Sequence, residues 1–463
     1  MSDYRPTIGL EVHAELNTKT KMFCNSKNAP ESSEPNTQVC PVCLAHPGTL
    51  PTINKEAVSH VLRVGTALGA TLARYSEFDR KSYFYPDIPK SYQISQYAYP
   101  LVSGGSLSGV EITRVHLEED TARSSHTSMG SLVDFNRAGV PLMELVTEPV
   151  IPDAKTAGAF ARELQLLLRT LGVSHANLEK GEMRVEANIS VSKTAESSLA
   201  YVEVKNLNSF RSVERAIEYE IKRQIDVLEN GGVIVKETRG WNENKQSTFS
   251  QRAKEGSTDY RYFPEPDLPK IQLLDMSEWS SQKLSEALPE LPWERRDRYQ
   301  KLGIKKEDAE TVVSDVDRSA YFDELVEALG GREKDVLLAV NYLVNDIGEL
   351  TPPPVAFFAE LVDLLSAEKI SSRGAKNILK NRTENESPLE SATRQGLLQE
   401  SDPEALKALV EAVLSEHPGV VEEYKAGKES ALQFLVGASM KASKGAGNPG
   451  VIRDTLLALL RST

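Results

Sequence analysis

The sequence predicts an α+β protein: an N-terminal cradle domain of mostly antiparallel β-sheet with flanking helices, then an all-α domain, then a small helical tail. Three observations carry this. As far as Pro269 the apolar runs alternate with polar residues and lack regular crossover helices, the pattern of antiparallel rather than parallel sheet. Near LPELPWERRDRY (Leu288–Tyr299) the alternation stops and helical periodicity takes over. Two breaks then divide the helical part: TPPP at Thr351–Pro354 and the polar run NRTENESP at Asn381–Pro388. These place the domains at 1–292, 293–400 and 401–463.

Composition bounds the rest. At 463 residues the chain is long enough for several domains and a sizeable core. It contains no run of 18 apolar residues and opens without a signal-peptide pattern, so a cytoplasmic protein is expected. Three cysteines are too few for a disulfide framework. A net charge of -13 argues against binding nucleic acid over the whole surface, and any RNA contact must use a local basic patch.

The first strand, Ile8–Leu16, alternates cleanly: Ile8, Leu10, Val12, Ala14 and Leu16 face one way, Glu11, His13 and Glu15 the other. Such a face is either solvated or a row of metal ligands. Cys24 and the C-x2-C of Cys40 and Cys43 follow, a good part of a zinc site, whose alternative is a loop of reduced thiols. A helix is expected over Asn54–Leu72, N-capped by Asn54 and weakened by Gly65 and Gly69. In DRKSYFYPDIPKSYQISQ (Asp79–Gln96), Arg80, Lys81 and Lys90 interleave with Tyr83, Phe84, Tyr85 and Tyr92. Cations among aromatics suit either a phosphate-and-base pocket or a packed aromatic loop.

The stretch VDFNRAGVPLMELVTEP (Val133–Pro149) sets Glu144 inside an apolar run, where a carboxylate must be paired, protonated or bound to a cation. In the strand Val110–Asp120, Glu119 continues the face of Val115 and Leu117. Two inward carboxylates suggest either a Mg2+ site or ion pairs with Arg114, Arg123 or Arg137. Helices are expected over Ala154–Leu171 and Ser212–Asn230. Between them, two strands repeat the polar face: Arg184, Glu186, Asn188 and Ser190, then Glu203 and Lys205. A mixed acid, base and amide set of this kind suits phosphoryl transfer, with carboxylates for Mg2+ and cations for phosphates. No P-loop or Rossmann fingerprint is present.

The Val133–Pro149 stretch resembles the signature of the B subunits of tRNA-dependent amidotransferases, the GatCAB complexes. So do IGLEVHAEL, DRKSYFYPDIPKSYQISQ, HLEED, KNLNSF, DYRYFPEPDLP and FLVGASMKASKGAGNP, in family order from Ile8 to Pro449. The resemblance implies ATP-dependent amidation of Glu-tRNA(Gln) and/or Asp-tRNA(Asn). It also implies a heterotrimer, in which ammonia comes from a glutaminase (amidase) partner, GatA, and a small third partner is GatC. It implies a Mg2+ site that adds Glu11 and His13 to Glu119 and Glu144. A nucleotide or acceptor-end pocket is implied too, with Lys81, Tyr83, Lys90, Arg184, Asn188 and Lys205 as candidates. Many members complete a zinc site with a fourth cysteine, where this chain has Ser26. The family usually has Asp where Glu186 stands, which puts its ligand role in doubt. In the tail, Lys425, Lys428, Lys441, Lys444, Arg453 and Arg461 face only Glu429 and Asp454, and Lys441 and Lys444 flank a glycine-rich turn expected to meet tRNA phosphates. No glutaminase nucleophile constellation is evident. Rival readings are a stand-alone ligase using free ammonia or an amine, and a non-catalytic tRNA-binding scaffold.

Overall fold

The computed structural model describes residues 3–31, 34–82, 84–193, 200–253, 259–348, 350–383, 386–400, 402–443 and 446–462. The chain divides into two compact units, Met1–Pro292 and Trp293–Thr463. The architecture is α+β, a sheet domain with helices followed by a helical region. Among the described residues, no helix is long and apolar enough to cross a membrane.

The first unit is built on a ten-stranded sheet. Its principal strands are β1 (Arg5–Glu15), β2 (Val110–Glu119), β3 (Pro141–Thr147), β4 (Met183–Ser192), β5 (Val202–Leu207), β6 (Glu237–Asn242) and β7 (Ser247–Ala253). They lie in the order β7-β6-β5-β4-β1-β3-β2, and all neighbours in this run are antiparallel except the parallel pair β5 and β6. Alternation gives the sheet two chemically different faces. Ile8, Leu10, Val12 and Ala14 of β1, with Val185, Ala187 and Ile189 of β4, are buried. Helices α2 (Ala154–Thr170) and α3 (Phe210–Glu229) pack on this part of the sheet and on each other.

Helix α1 (Lys55–Ala67) begins as expected, with the Asn54 side chain accepting from the Glu56 and Ala57 amides. It ends earlier than Leu72. Gly69 takes φ +64, a left-handed conformation that stops the helix, and Thr71–Leu72 then pairs with Val102–Ser103 at the edge of the main sheet. α2 and α3 lie within two residues of the expected spans, capped by Asp153 and Ser209.

The second unit is helical throughout its described elements. Four helices, Pro403–Glu416, Pro418–Lys425, Glu429–Ala442 and Pro449–Ser462, form the tail around Leu406, Val410, Leu435, Ile452 and Leu456. The break at TPPP is observed: Thr351–Pro354 is non-helical and Val355–Ser366 starts directly after it.

Candidate active site

The polar face of the sheet floors a cavity of about 550 Å3. Its composition follows from strand register. On β1, His13 lies opposite Arg184 of β4 on one side and Glu144 of β3 on the other, and Glu144 lies opposite His116 of β2. One line across four strands therefore reads Arg184, His13, Glu144, His116. The neighbouring lines bring in Glu118, opposite Leu142, and Glu186, opposite Glu11.

The side chains of this line interlock. His13 Nε2 is 3.3 Å from Glu144 Oε2 and 3.8 Å from Glu118 Oε1. His116 Nε2 is 3.3 Å from Glu144 Oε2 and 3.8 Å from Glu118 Oε2. Burial alone would hold both imidazoles neutral, but the facing carboxylates outweigh it: His13 is raised to about 9 and His116 is raised as well. Burial would likewise push both carboxyls up, but the imidazoles hold Glu144 well below the usual range and keep Glu118 low. The imidazoles and the carboxylates thus favour each other's charged forms in a buried site. His13, Glu118 and Glu144 each offer one ligand atom, all within 4.8 Å of one another. Two carboxylates and one imidazole fit a divalent cation, which could take the place of histidine protons without leaving net charge behind.

A second acidic group lies along the same face. Glu11, Glu186 and Glu203 also offer ligand atoms within 4.8 Å of one another. Here the chain supplies its own cation, since Lys205 Nζ is 2.8 Å from Glu186 and 3.6 Å from Glu203. Burial would lower the Lys205 ammonium, but these carboxylates outweigh it and raise it above its ordinary value. Asn188 Nδ2 donates to Glu11 Oε1 at 2.7 Å, and Arg184 Nη2 donates to Asp120 Oδ2 at 2.7 Å. Lys81 also lines the cavity, with its ammonium 4.9 Å over the Tyr260 ring. A polar cleft lined by clustered carboxylates and by Lys81, Arg184 and Lys205 has the parts that phosphoryl transfer requires.

Comparison with known proteins decides the family. Residues 6–278 match the model of the GatB/GatE catalytic domain, and residues 334–460 match the GatB domain. The chain belongs to the GatB family. A relative from Synechocystis sp. is 43% identical, over 99% of this chain and 98% of its own length. One from Thermus thermophilus is 42% identical, over 99% of each, and one from Persephonella marina is 40% identical, over 99% of this chain and 100% of its own. All three relatives are named as the B subunits of aspartyl/glutamyl-tRNA(Asn/Gln) amidotransferases.

Within this family member the expected residues divide. Glu11, His13, Glu144, Lys81, Arg184 and Lys205 line the large cavity, and Asn188 is bonded to Glu11. Glu119 and Lys90 do not join them. Successive strand residues point to opposite faces, so Glu119 shares the side of Val115 and Leu117 while His116 and Glu118 share the other. Glu119 accepts from Lys90 Nζ at 2.6 Å and from the Ile94 amide at 3.0 Å, beside a separate cavity of about 210 Å3. The carboxylate brought to His13 and Glu144 is therefore Glu118, which the sequence reading passed over, as it did His116. The signal was available: HLE places His116 and Glu118 on the parity opposite to Val115 and Leu117. Of the arginines weighed as ion-pair partners, Arg114 reaches Glu144 at 3.9 Å, while Arg123 pairs with Glu31 and Arg137 approaches Asp120. Tyr83 lies outside the described residues.

Cys24, Cys40 and Cys43 converge beside the smaller cavity. Cys40 and Cys43 Sγ are 3.8 Å apart. Two thiolates on tetrahedral zinc, with bonds of about 2.3 Å, stand about 3.8 Å apart. The Cys40 amide donates to Cys43 Sγ at 3.1 Å, and Ser26 Oγ lies 3.8 Å from the same sulfur. Lys21, itself buried, places Nζ 3.8 Å from Cys43 Sγ and donates to the Phe135 carbonyl at 3.1 Å. The bond from Cys24, the Cys40 amide and the Lys21 charge bring the Cys43 thiol down to about 4 against the effect of burial. Three clustered thiols are a donor set that fits zinc. His46 lines the same cavity but is not among the clustered ligand atoms.

Proposed function

We propose that this chain is the B subunit of an aspartyl/glutamyl-tRNA(Asn/Gln) amidotransferase and houses the step that activates the amino-acid side chain. The γ-phosphoryl group of ATP moves to a side-chain carboxylate oxygen of Glu-tRNA(Gln) or Asp-tRNA(Asn), and ADP leaves. Ammonia then attacks the acyl-phosphate carbon, phosphate departs, and the amide forms. Activation is needed because a free carboxylate is a poor acyl donor. The observation that carries the reading is the interlocked line of His13, Glu144 and His116 with Glu118, on the floor of a polar cavity, in a chain about as long as its relatives and similar to them throughout.

In this reading His13, Glu118 and Glu144 hold Mg2+, and Glu11 stands by in the neighbouring acidic group. Bound there, Mg2+ offsets the charge of the phosphates against the substrate carboxylate. Lys81, Arg184 and Lys205 orient phosphate oxygens, and Asn188 fixes the Glu11 carboxylate. Cys24, Cys40 and Cys43 hold a structural zinc with Ser26 or a water at the fourth corner, keeping the loop fixed beside β3. Ammonia comes from the glutaminase (amidase) partner, GatA, and the small GatC partner completes the heterotrimer. Lys441 and Lys444 of the tail hold tRNA phosphates. Lys444 lies outside the described residues, and Lys441 is exposed near the end of the Glu429–Ala442 helix.

The test is made on the assembled complex. Glu144→Gln and Glu118→Gln should each lower ATP-dependent amidation at least about 100-fold, the scale of losing one positioned electrostatic group. Glutamine hydrolysis by the partner should survive. Full amidation by both variants would exclude this site.

A further inference from the structure

The reaction proposed above brings an adenine ring to the large cavity twice, on ATP and on the 3′-terminal adenosine of the tRNA. An adenine ring is held by contacts to its faces and edges, and stacking on an aromatic face is a sequence-tolerant one. Four tyrosines line the cavity: Tyr97, Tyr201, Tyr260 and Tyr262. Two of them carry a cation over the ring, and the other two stack on each other. Lys236 Nζ sits 4.8 Å over Tyr201, and Lys81 Nζ sits 4.9 Å over Tyr260. Tyr262 is covered by Tyr97, with centroids 4.3 Å apart and an interplanar angle of 11°, and meets Tyr260 edge-on at 6.0 Å.

Tyr97 differs. One face lies on Tyr262, yet the residue is 50% exposed, so the stack leaves much of it open. Its backbone is also pinned. Asp79, only 3% exposed, accepts from the Tyr97 amide at 2.8 Å and the Ala98 amide at 3.2 Å. A buried carboxylate spent on holding one turn presents the ring before any ligand arrives, which lowers the entropic cost of stacking on it.

We propose that the outer face of Tyr97 is the stacking platform for an adenine ring in this cavity, with Tyr262 backing it. This rests on the function proposed above, since that reaction supplies the adenine. The test uses the assembled complex and two readouts: equilibrium dialysis of ADP, and the KM for misacylated tRNA at saturating ATP. Tyr97→Ala should weaken one of them by about tenfold or more, the range of one base–aromatic stack. A loss in ADP affinity assigns the platform to the nucleotide, and a loss confined to the tRNA KM assigns it to the terminal adenosine. Tyr97→Phe, which keeps the ring, should restore both. Should Tyr97→Ala fold poorly by its melting curve, Tyr97→Leu covers Tyr262 while removing the π face, and should weaken binding likewise. Unchanged values in the Ala and Leu variants, or an equal loss in Phe, would overturn the proposal. A wild-type complex that binds ADP without amidating would instead refute the function, while the dialysis still judges Tyr97.

Discussion

At the scale of single residues, Glu118 and Glu119 are chemically identical neighbours with different surroundings. Glu118 meets two imidazoles on the polar face, and Glu119 meets Lys90 and the Ile94 amide beside the smaller cavity. Reading Glu119 as the inward carboxylate was right about its burial and about its side of the strand. That side faces Lys90 and the smaller cavity, away from His13 and Glu144. The cysteines are a second case. Their spacing is legible in the sequence, but the fourth corner is not, because Ser26, Lys21 and His46 all lie within reach along the chain. Protein purified without chelator should carry close to one zinc per chain, measured by elemental analysis. Cys43→Ser should lose it, with melting lowered by about 3 °C or more, the shift expected for a loss of roughly 2 kcal/mol in a domain of this size. Near-zero zinc in the wild type, with melting indifferent to EDTA, would leave the loop held by packing alone.

At the scale of elements, α1 shows how packing overrides propensity. Gly65 looks like a weakness in a helix, worth up to about 1 kcal/mol against alanine. Its neighbours give the reason it stands there. A Cβ at Gly65 would lie 2.5 Å from Val102 Cγ2 and 2.9 Å from Leu72 Cδ2. The helix therefore approaches the edge of the sheet through a position where a methyl group does not fit. Gly65→Ala should destabilise the first unit by about 1–3 kcal/mol despite the gain in helix propensity. Urea unfolding of the isolated chain measures it, and a stabilised variant would mean that Val102 and Leu72 move aside easily. The same packing explains why α1 ends at Ala67: Gly69 turns the chain so that Thr71–Leu72 can pair with Val102–Ser103.

At the scale of the molecule, the two compact units have separate chemistry. The first carries the sheet and the carboxylate line, and the second is helical. We further propose the division at 401, supported by the tail's own apolar cluster of Leu406, Val410, Val413, Leu435, Ile452, Leu456 and Leu460. If this acidic chain binds tRNA it needs a local basic surface, and the final tail segment from Lys425 carries six positive charges against two negative. Lys441→Ala with Lys444→Ala should raise the KM for misacylated tRNA and reduce the slope of log affinity against log salt by roughly two, one for each phosphate no longer neutralised. Glutamine hydrolysis should be unaffected. An unchanged KM and slope would put tRNA recognition elsewhere.

What the sequence by itself determined is everything that depends on neighbours along the chain: the fold class, strand parity, helix spans to within a few residues, the cap at Asn54, and the polar face of Glu11, His13, Arg184 and Asn188. Its long motifs also placed it in its family. What only the tertiary structure decided depends on register between strands far apart in the chain. Parity says that His13 and Glu144 each project from one side of their strand. It does not say that they stand opposite each other with Arg184 and His116 on the same line, because register is set by hydrogen bonding and packing across the whole sheet. The meeting of Glu118 with His13, and the Tyr97–Tyr262 stack beside a cleft floored by β1 to β5, follow from the same cause: side chains remote in sequence meet only once the sheet has formed.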